Sequence, residues 1–89
     1  MEIMKKFSYT ITDKLGIHAG PAGQLVQLSL TFECNLSMIN TSGVAANMKN
    51  IFSLMGIGVK FGEKITIVAD GKDENKAINS IKSFIQSNL

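Results

Sequence analysis

The chain contains no arginine; all nine of its basic residues are lysines. Only Lys5-Lys6 are adjacent and the net charge is just +2, so no basic stripe suited to nucleic acid emerges. One cysteine, Cys34, excludes an intramolecular disulfide framework and leaves no partner for a redox or zinc motif. It is expected to be a small buried hydrophobe. No apolar stretch approaches the ~20 residues a bilayer-spanning helix needs. The longest, around Ile51 to Phe61, is broken by Ser53, Gly56, Gly58 and Lys60. Met1-Glu2-Ile3-Met4-Lys5-Lys6 runs directly into a strand pattern without the apolar segment of a secretory signal. The expectation is a soluble, cytoplasmic protein. Its 89 residues, 45% hydrophobic and 18% charged, suit a single domain over residues 1–89 with a modest core.

Chemistry-bearing patterns are equally sparse. Gly16, Gly20 and Gly23 fit neither the Walker nor the dinucleotide spacing, and no Gly-Lys-Ser/Thr occurs. No carboxylate pair or second histidine suggests hydrolysis or a metal site, and nothing calls for a cofactor. What remains is one histidine, His18, in Gly16-Ile17-His18-Ala19-Gly20-Pro21-Ala22, just before an expected helix. The first turn of a helix has amides without intrahelical partners and partial positive charge. An anion carried on His18 would therefore meet donors, the physical basis of phosphate binding at helix starts. Pro21 suits that first turn, since its ring presets φ and its missing N–H would have no partner there. A neutral imidazole is a nucleophile near pH 7, so the stretch reads as a nucleophile beside an anion hole, with Ala19 and Gly20 supplying backbone N–H groups.

Hydrophobic periodicity orders the rest. Phe7, Tyr9 and Ile11 alternate with polar residues in a half-buried strand. A helix is expected from Ala19 to Phe32, with Ala22, Leu25, Val26, Ser29 and Phe32 on one face. Leu36 and Met38 mark a second strand, Asn40 to Gly43 a turn, and Val44 to Ala46 a short third strand. A short helix is expected from Lys49 to Met55, with Gly56 as its C-cap. Glu63 to Ala69 forms the next strand, with Ile65, Ile67 and Ala69 inward. A last helix follows over Asp73 to Ser87, with Ala77, Ile78, Ile81, Phe84, Ile85 and Asn88 in register and Glu74, Lys76, Lys82 and Gln86 facing away. The order βαββαβα, with strands and helices each apolar on one side, implies an α+β fold: a four-stranded antiparallel sheet with three helices on one face. Ile51, Phe52, Leu54 and Met55 give the short helix more apolar circumference than a small core absorbs, so part of it should form a partner surface. Lys49 beside it could attract an anion, although a solvated lysine is the ordinary reading.

Gly16-Ile17-His18-Ala19-x-Pro21-Ala22 resembles the active-site signature of the HPr family, the histidine-containing phosphocarriers of the phosphoenolpyruvate:sugar phosphotransferase system. The resemblance continues through Leu25-Val26, Asn47-Met48-Lys49-Asn50-Ile51, Gly58-Val59-Lys60-x-Gly62, Ile65-Thr66-Ile67 and Asp73-Glu74-Asn75. It implies an open-faced β-sandwich and a relay rather than an enzyme. His18 would accept a phosphoryl group from enzyme I and hand it to IIA domains of sugar permeases, with transcriptional regulators as a further partner class. Docking would use the face holding Lys49, Ile51, Phe52 and Met55, and the implied state is a monomer without membrane insertion or nucleic acid. Two positions depart from the family pattern. Gly20 stands where the pattern has arginine, so a guanidinium clamp on phosphate is missing. Asn50 stands where many members carry a regulatory serine; it cannot take that phosphate but can cap the short helix. These departures leave two alternatives open: an adaptor paralogue that docks partners without relaying phosphate, and a carrier serving a phosphoenolpyruvate-dependent dihydroxyacetone kinase.

Overall fold

The structure, a computed structural model, describes residues 4–89; Met1 to Ile3, the start of the stretch read for a leader, lie outside the described residues. Alternating side chains build β1 (Met4–Thr10), β2 (Asn35–Ile39), β3 (Ala45–Asn47) and β4 (Lys64–Asp70). Three helices join them: α1 (Ala19–Ser29), α2 (Ile51–Gly56) and α3 (Glu74–Asn88). The sheet has the order β1-β4-β2-β3 with every neighbouring pair antiparallel. Ile65, Ile67 and Ala69 of β4 are fully buried and pair with Tyr9, Phe7 and Lys5 on one side. Leu36 and Met38 of β2 extend the same apolar face.

That face is covered by helices. α3 lies against β1 and β4, α2 against β3, and α1 against both other helices. Ala22, Leu25 and Val26 of α1, Leu54 of α2, and Ala77, Ile81 and Ile85 of α3 supply the helical half of the core. Burying a side chain such as Leu54 contributes about 1.5–3 kcal/mol relative to leaving it in water. Among the described residues no helix lies against the opposite side of the sheet, which mixes polar with apolar side chains: Ser8 and Thr66 hydrogen-bond across strands at 3.2 Å, near half-buried Val68 and Ile39.

Several expected boundaries move, each for a local reason. α1 ends at Ser29, not Phe32, because Thr31 and Phe32 donate to Leu28 and Ser29 in a tighter turn. Phe32 is half-buried against the core all the same. β3 begins at Ala45, since the Val44 amide is held by the Asn40 side chain at 2.9 Å. α2 starts at Ile51, not Lys49: Asn47 accepts from the Lys49 and Asn50 amides and folds that stretch into a turn. Gly56 is the last helical residue of α2, not its cap. Gly58, at φ +60, supplies the left-handed step, and its amide bonds the Met55 carbonyl at 3.2 Å.

At α3 two side chains contradict the periodicity. Glu74 is 7% exposed rather than facing away, its carboxylate accepting from the Gly71 amide at 2.9 Å. Asn88 is exposed, donating to the Phe84 carbonyl, while Leu89 takes the buried place beside it.

Candidate functional site

A loop between β1 and α1 carries the histidine, and most of its amides are hydrogen-bonded. Ile11 exchanges hydrogen bonds with the segment leading into β4, donating to Glu63 and accepting from Gly62. The amides of Thr12 and Asp13 and the Thr12 hydroxyl all donate to the Leu89 carbonyl. Gly16 adopts φ +67 and lies so close to the Val59–Lys60 backbone that a Cβ would sit 2.5 Å from the Val59 oxygen. Only glycine meets both conditions. The next amide, that of Ile17, donates to the same Val59 carbonyl at 3.1 Å, and the Ile17 side chain is buried.

His18 follows as the N-cap of α1, with extended backbone angles of φ −128 and ψ 171. Its carbonyl accepts the first intrahelical bond, from Ala22 at 2.9 Å. Its side chain does not turn back to cap the helix. The Ala19 and Gly20 amides accordingly have no partner among the described residues, Pro21 has no N–H to offer, and no acidic side chain occupies the first turn. This is the uncompensated positive end of an eleven-residue helix. The imidazole itself stands 34% exposed at the surface, outside the core.

His18 Nε2 lies 2.9 Å from Asp13 Oδ2, and the other carboxylate oxygen accepts from the Leu15 amide at 2.9 Å. The Leu15 amide, then the His18 ring, hold the Asp13 carboxyl below its usual range. An aspartate five residues before a histidine, in a loop rich in turn formers, reads as a turn residue; only the folded loop shows where its second oxygen points.

The expected docking residues divide. Phe52 is 84% exposed, Met55 is exposed, and Ile51 is half-buried against the core. Lys49 is not a solvated lysine: half-buried, it donates to the Phe32 carbonyl at 2.6 Å, beyond the far end of α1 from His18. Asn50 caps α2, its side-chain oxygen accepting from Phe52 at 2.9 Å and Ser53 at 3.1 Å. Ser53 in turn accepts from the Asn47 amide at 2.9 Å, a structural use of its hydroxyl. Cys34 is buried, and burial pushes its thiol up to about 11, well away from reactive thiolate chemistry.

A surface imidazole at an open helix start, on a four-stranded sheet backed by three helices, is the arrangement of a small group-carrying protein. Residues 5–87 match the family described as the PTS HPr component phosphorylation site. The chain is 42% identical over 85 residues to the phosphocarrier protein HPr of Mycoplasma genitalium, covering 96% of this chain and 97% of that one. It is 40% identical over 83 residues to the HPr of Mycoplasma pneumoniae, covering 93% and 94%. A solved Mycoplasma histidine-containing phosphocarrier superposes with a TM-score of 0.90 at 40% identity, covering 93% of each chain. The chain belongs to the HPr family.

Proposed function

We propose that this chain is a cytoplasmic phosphoryl carrier, not an enzyme, in which His18 accepts a phosphoryl group from enzyme I and passes it to IIA domains of sugar permeases. The observation that carries this reading is the pairing of an exposed imidazole with the two open amides of Ala19 and Gly20 at the start of α1. Nε2 is engaged by a carboxylate, so Nδ1 is the nitrogen left to bear phosphate. A phosphoryl group there brings negative charge to a helix end that has none of its own.

Partner contact would use the exposed face of α2, where Phe52 and Met55 present apolar surface beside Ile51, with transcriptional regulators as further candidates for that face. Lys49 contributes less directly, because its ammonium is already hydrogen-bonded. A relay needs a small interface and fast release more than tight affinity, which a short helix with two exposed apolar side chains suits. Asn50 offers no hydroxyl for phosphorylation, so a serine switch at this cap is excluded by chemistry.

Incubation with enzyme I and phosphoenolpyruvate tests the proposal. The expected result is an acid-labile phosphoryl adduct that His18→Ala abolishes, followed by transfer to a IIA domain. A chain that stays unmodified, or that keeps the adduct in His18→Ala, overturns it. Loading by enzyme I without transfer to any IIA domain would favour another acceptor, such as a dihydroxyacetone kinase subunit.

A further inference from the structure

We propose that Asp13 is a positioning residue for the phosphoryl transfer, holding the Nε2–H of His18 so that Nδ1 presents its lone pair, and opposing the positive charge the ring acquires when phosphate binds. The inference rests on the reading of His18 as phosphoryl acceptor.

The geometry is unusually complete for a surface aspartate. All four polar groups of Asp13 are engaged: its amide with Leu89 at 2.8 Å, its carbonyl with Gly16 at 2.9 Å, Oδ1 with Leu15 at 2.9 Å, and Oδ2 with His18 at 2.9 Å. Swinging the carboxylate away would break its bond to the Leu15 amide, and the loop that carries it is held to Leu89 and Val59. An ionised carboxylate only accepts hydrogen bonds, and a neutral imidazole has one N–H and one lone pair. The contact thus places the proton on Nε2 and the lone pair on Nδ1; in general the bond made by one ring nitrogen sets the state of the other. A buried aspartate serves a serine-protease histidine in the same manner, fixing tautomer and orientation without taking the proton.

The step balances without further reagents. The Nδ1 lone pair attacks phosphorus, the donor's bond to that phosphorus breaks, and its electron pair stays with the donor. Nε2 keeps its proton throughout, so the phosphorylated ring is a cation whose charge faces the Asp13 carboxylate. Onward transfer reverses the sequence: the N–P bond breaks, its pair returns to Nδ1, and the neutral tautomer is restored. The phosphoryl group's own negative charge is met by the open Ala19 and Gly20 amides at the start of α1.

The test combines a spectroscopic readout with kinetics on the full chain. Long-range proton–nitrogen NMR of the imidazole should show a protonated Nε2 and an unprotonated Nδ1. Asp13→Ala should mix the tautomers and lower the single-turnover rate from enzyme I by about tenfold, with the half-saturating enzyme I concentration changed less than about twofold. Asp13→Asn, whose single amide oxygen keeps the turn to Leu15 while its NH2 donates toward Nε2, should favour the opposite tautomer and transfer more slowly than the native chain. Native rates in both variants, or a native Nε2 without its proton, overturn the inference. A native chain that takes no phosphate overturns the carrier reading, whereas equal rates for the native chain and Asp13→Ala overturn the role of Asp13 alone.

Discussion

The Lys49 ammonium donates to the Phe32 carbonyl oxygen over 2.6 Å, joining the turn before α2 to the chain leaving α1. That contact places a positive charge just beyond the C-terminal end of α1, the end of a helix that carries partial negative charge. Lys49→Met should keep the stem and lose the bond, costing about 1 kcal/mol. For a chain of this size the melting temperature should fall by about 4–8 °C. A lysine acting solely as a docking charge would leave melting unchanged and weaken partner binding only.

Gly16 and Gly20, which flank Ile17-His18-Ala19, should respond oppositely to the same substitution. Gly16→Ala meets a left-handed φ and a backbone oxygen 2.5 Å away, and should destabilise by about 2 kcal/mol or more. Gly20 has nothing within 4 Å of a built Cβ and lies within α1, so Gly20→Ala should stabilise by about 0.5 kcal/mol. Chemical denaturation of the two variants beside the native chain checks both signs.

The same open space admits a long side chain at residue 20. Gly20→Arg should fold normally and bring a guanidinium to the start of α1, where a charge-assisted bond to phosphate is worth about 1.5–3 kcal/mol. Transfer from enzyme I should accelerate by about tenfold or more. An unchanged rate would mean the backbone amides already satisfy the phosphate.

Asn50 accepts from two amides in the first turn of a six-residue helix, which has few other means of holding its start. Asn50→Ala should cost about 1 kcal/mol, and Asn50→Ser should recover most of it, because serine caps comparably well. Equal stability of all three chains would show that packing of Leu54 alone holds α2.

Three carboxylates make stability depend on acid. Asp13, Glu63 and Asp73 lie below their ordinary values of 3.8, 4.5 and 3.8, held there chiefly by the amides of Leu15, Thr41 and Glu33 respectively. Near those values the unfolded chain binds more protons than the folded one, so stability rises with pH. Their contribution is complete above the ordinary values and is lost as pH falls through the depressed ones. The urea midpoint should be flat from about pH 6 to pH 5 and fall below about pH 4. Asp73→Asn should lower the midpoint near neutrality and flatten that fall, since Asp73 bonds the Glu33 and Cys34 amides at 2.9 Å each. A midpoint insensitive to pH in this range would refute the assignment.

Element order and the inward face of each strand follow from periodicity because Ile65, Ile67, Leu36 and Met38 alternate cleanly and have one core to enter. Boundaries drift by one to three residues where side chains compete with the backbone, as Asn47 does before α2 and Asn40 before β3. Glu74 escapes the pattern because its partner is a loop amide, and helical spacing cannot show a bond to Gly71. At the site, the histidine, the helix start and the capping role of Asn50 are readable from residue order alone. The Asp13 contact is not, since it depends on a loop conformation set by Val59 and Leu89, far along the chain.

Strand pairing gives that last dependence a kinetic meaning. β1 pairs with β4 from Met4 opposite Asp70 to Thr10 opposite Lys64, so the sheet is complete only when segments separated by α1, β2, β3 and α2 meet. Such topologies nucleate slowly, because loop-closure entropy is spent before distant contacts form. A partly folded chain would have helical turns and an imidazole, yet no ordered cradle around it. Competence to carry phosphate should therefore emerge in the final, cooperative phase of refolding, making the rate of regaining that competence a direct clock for completion of the sheet.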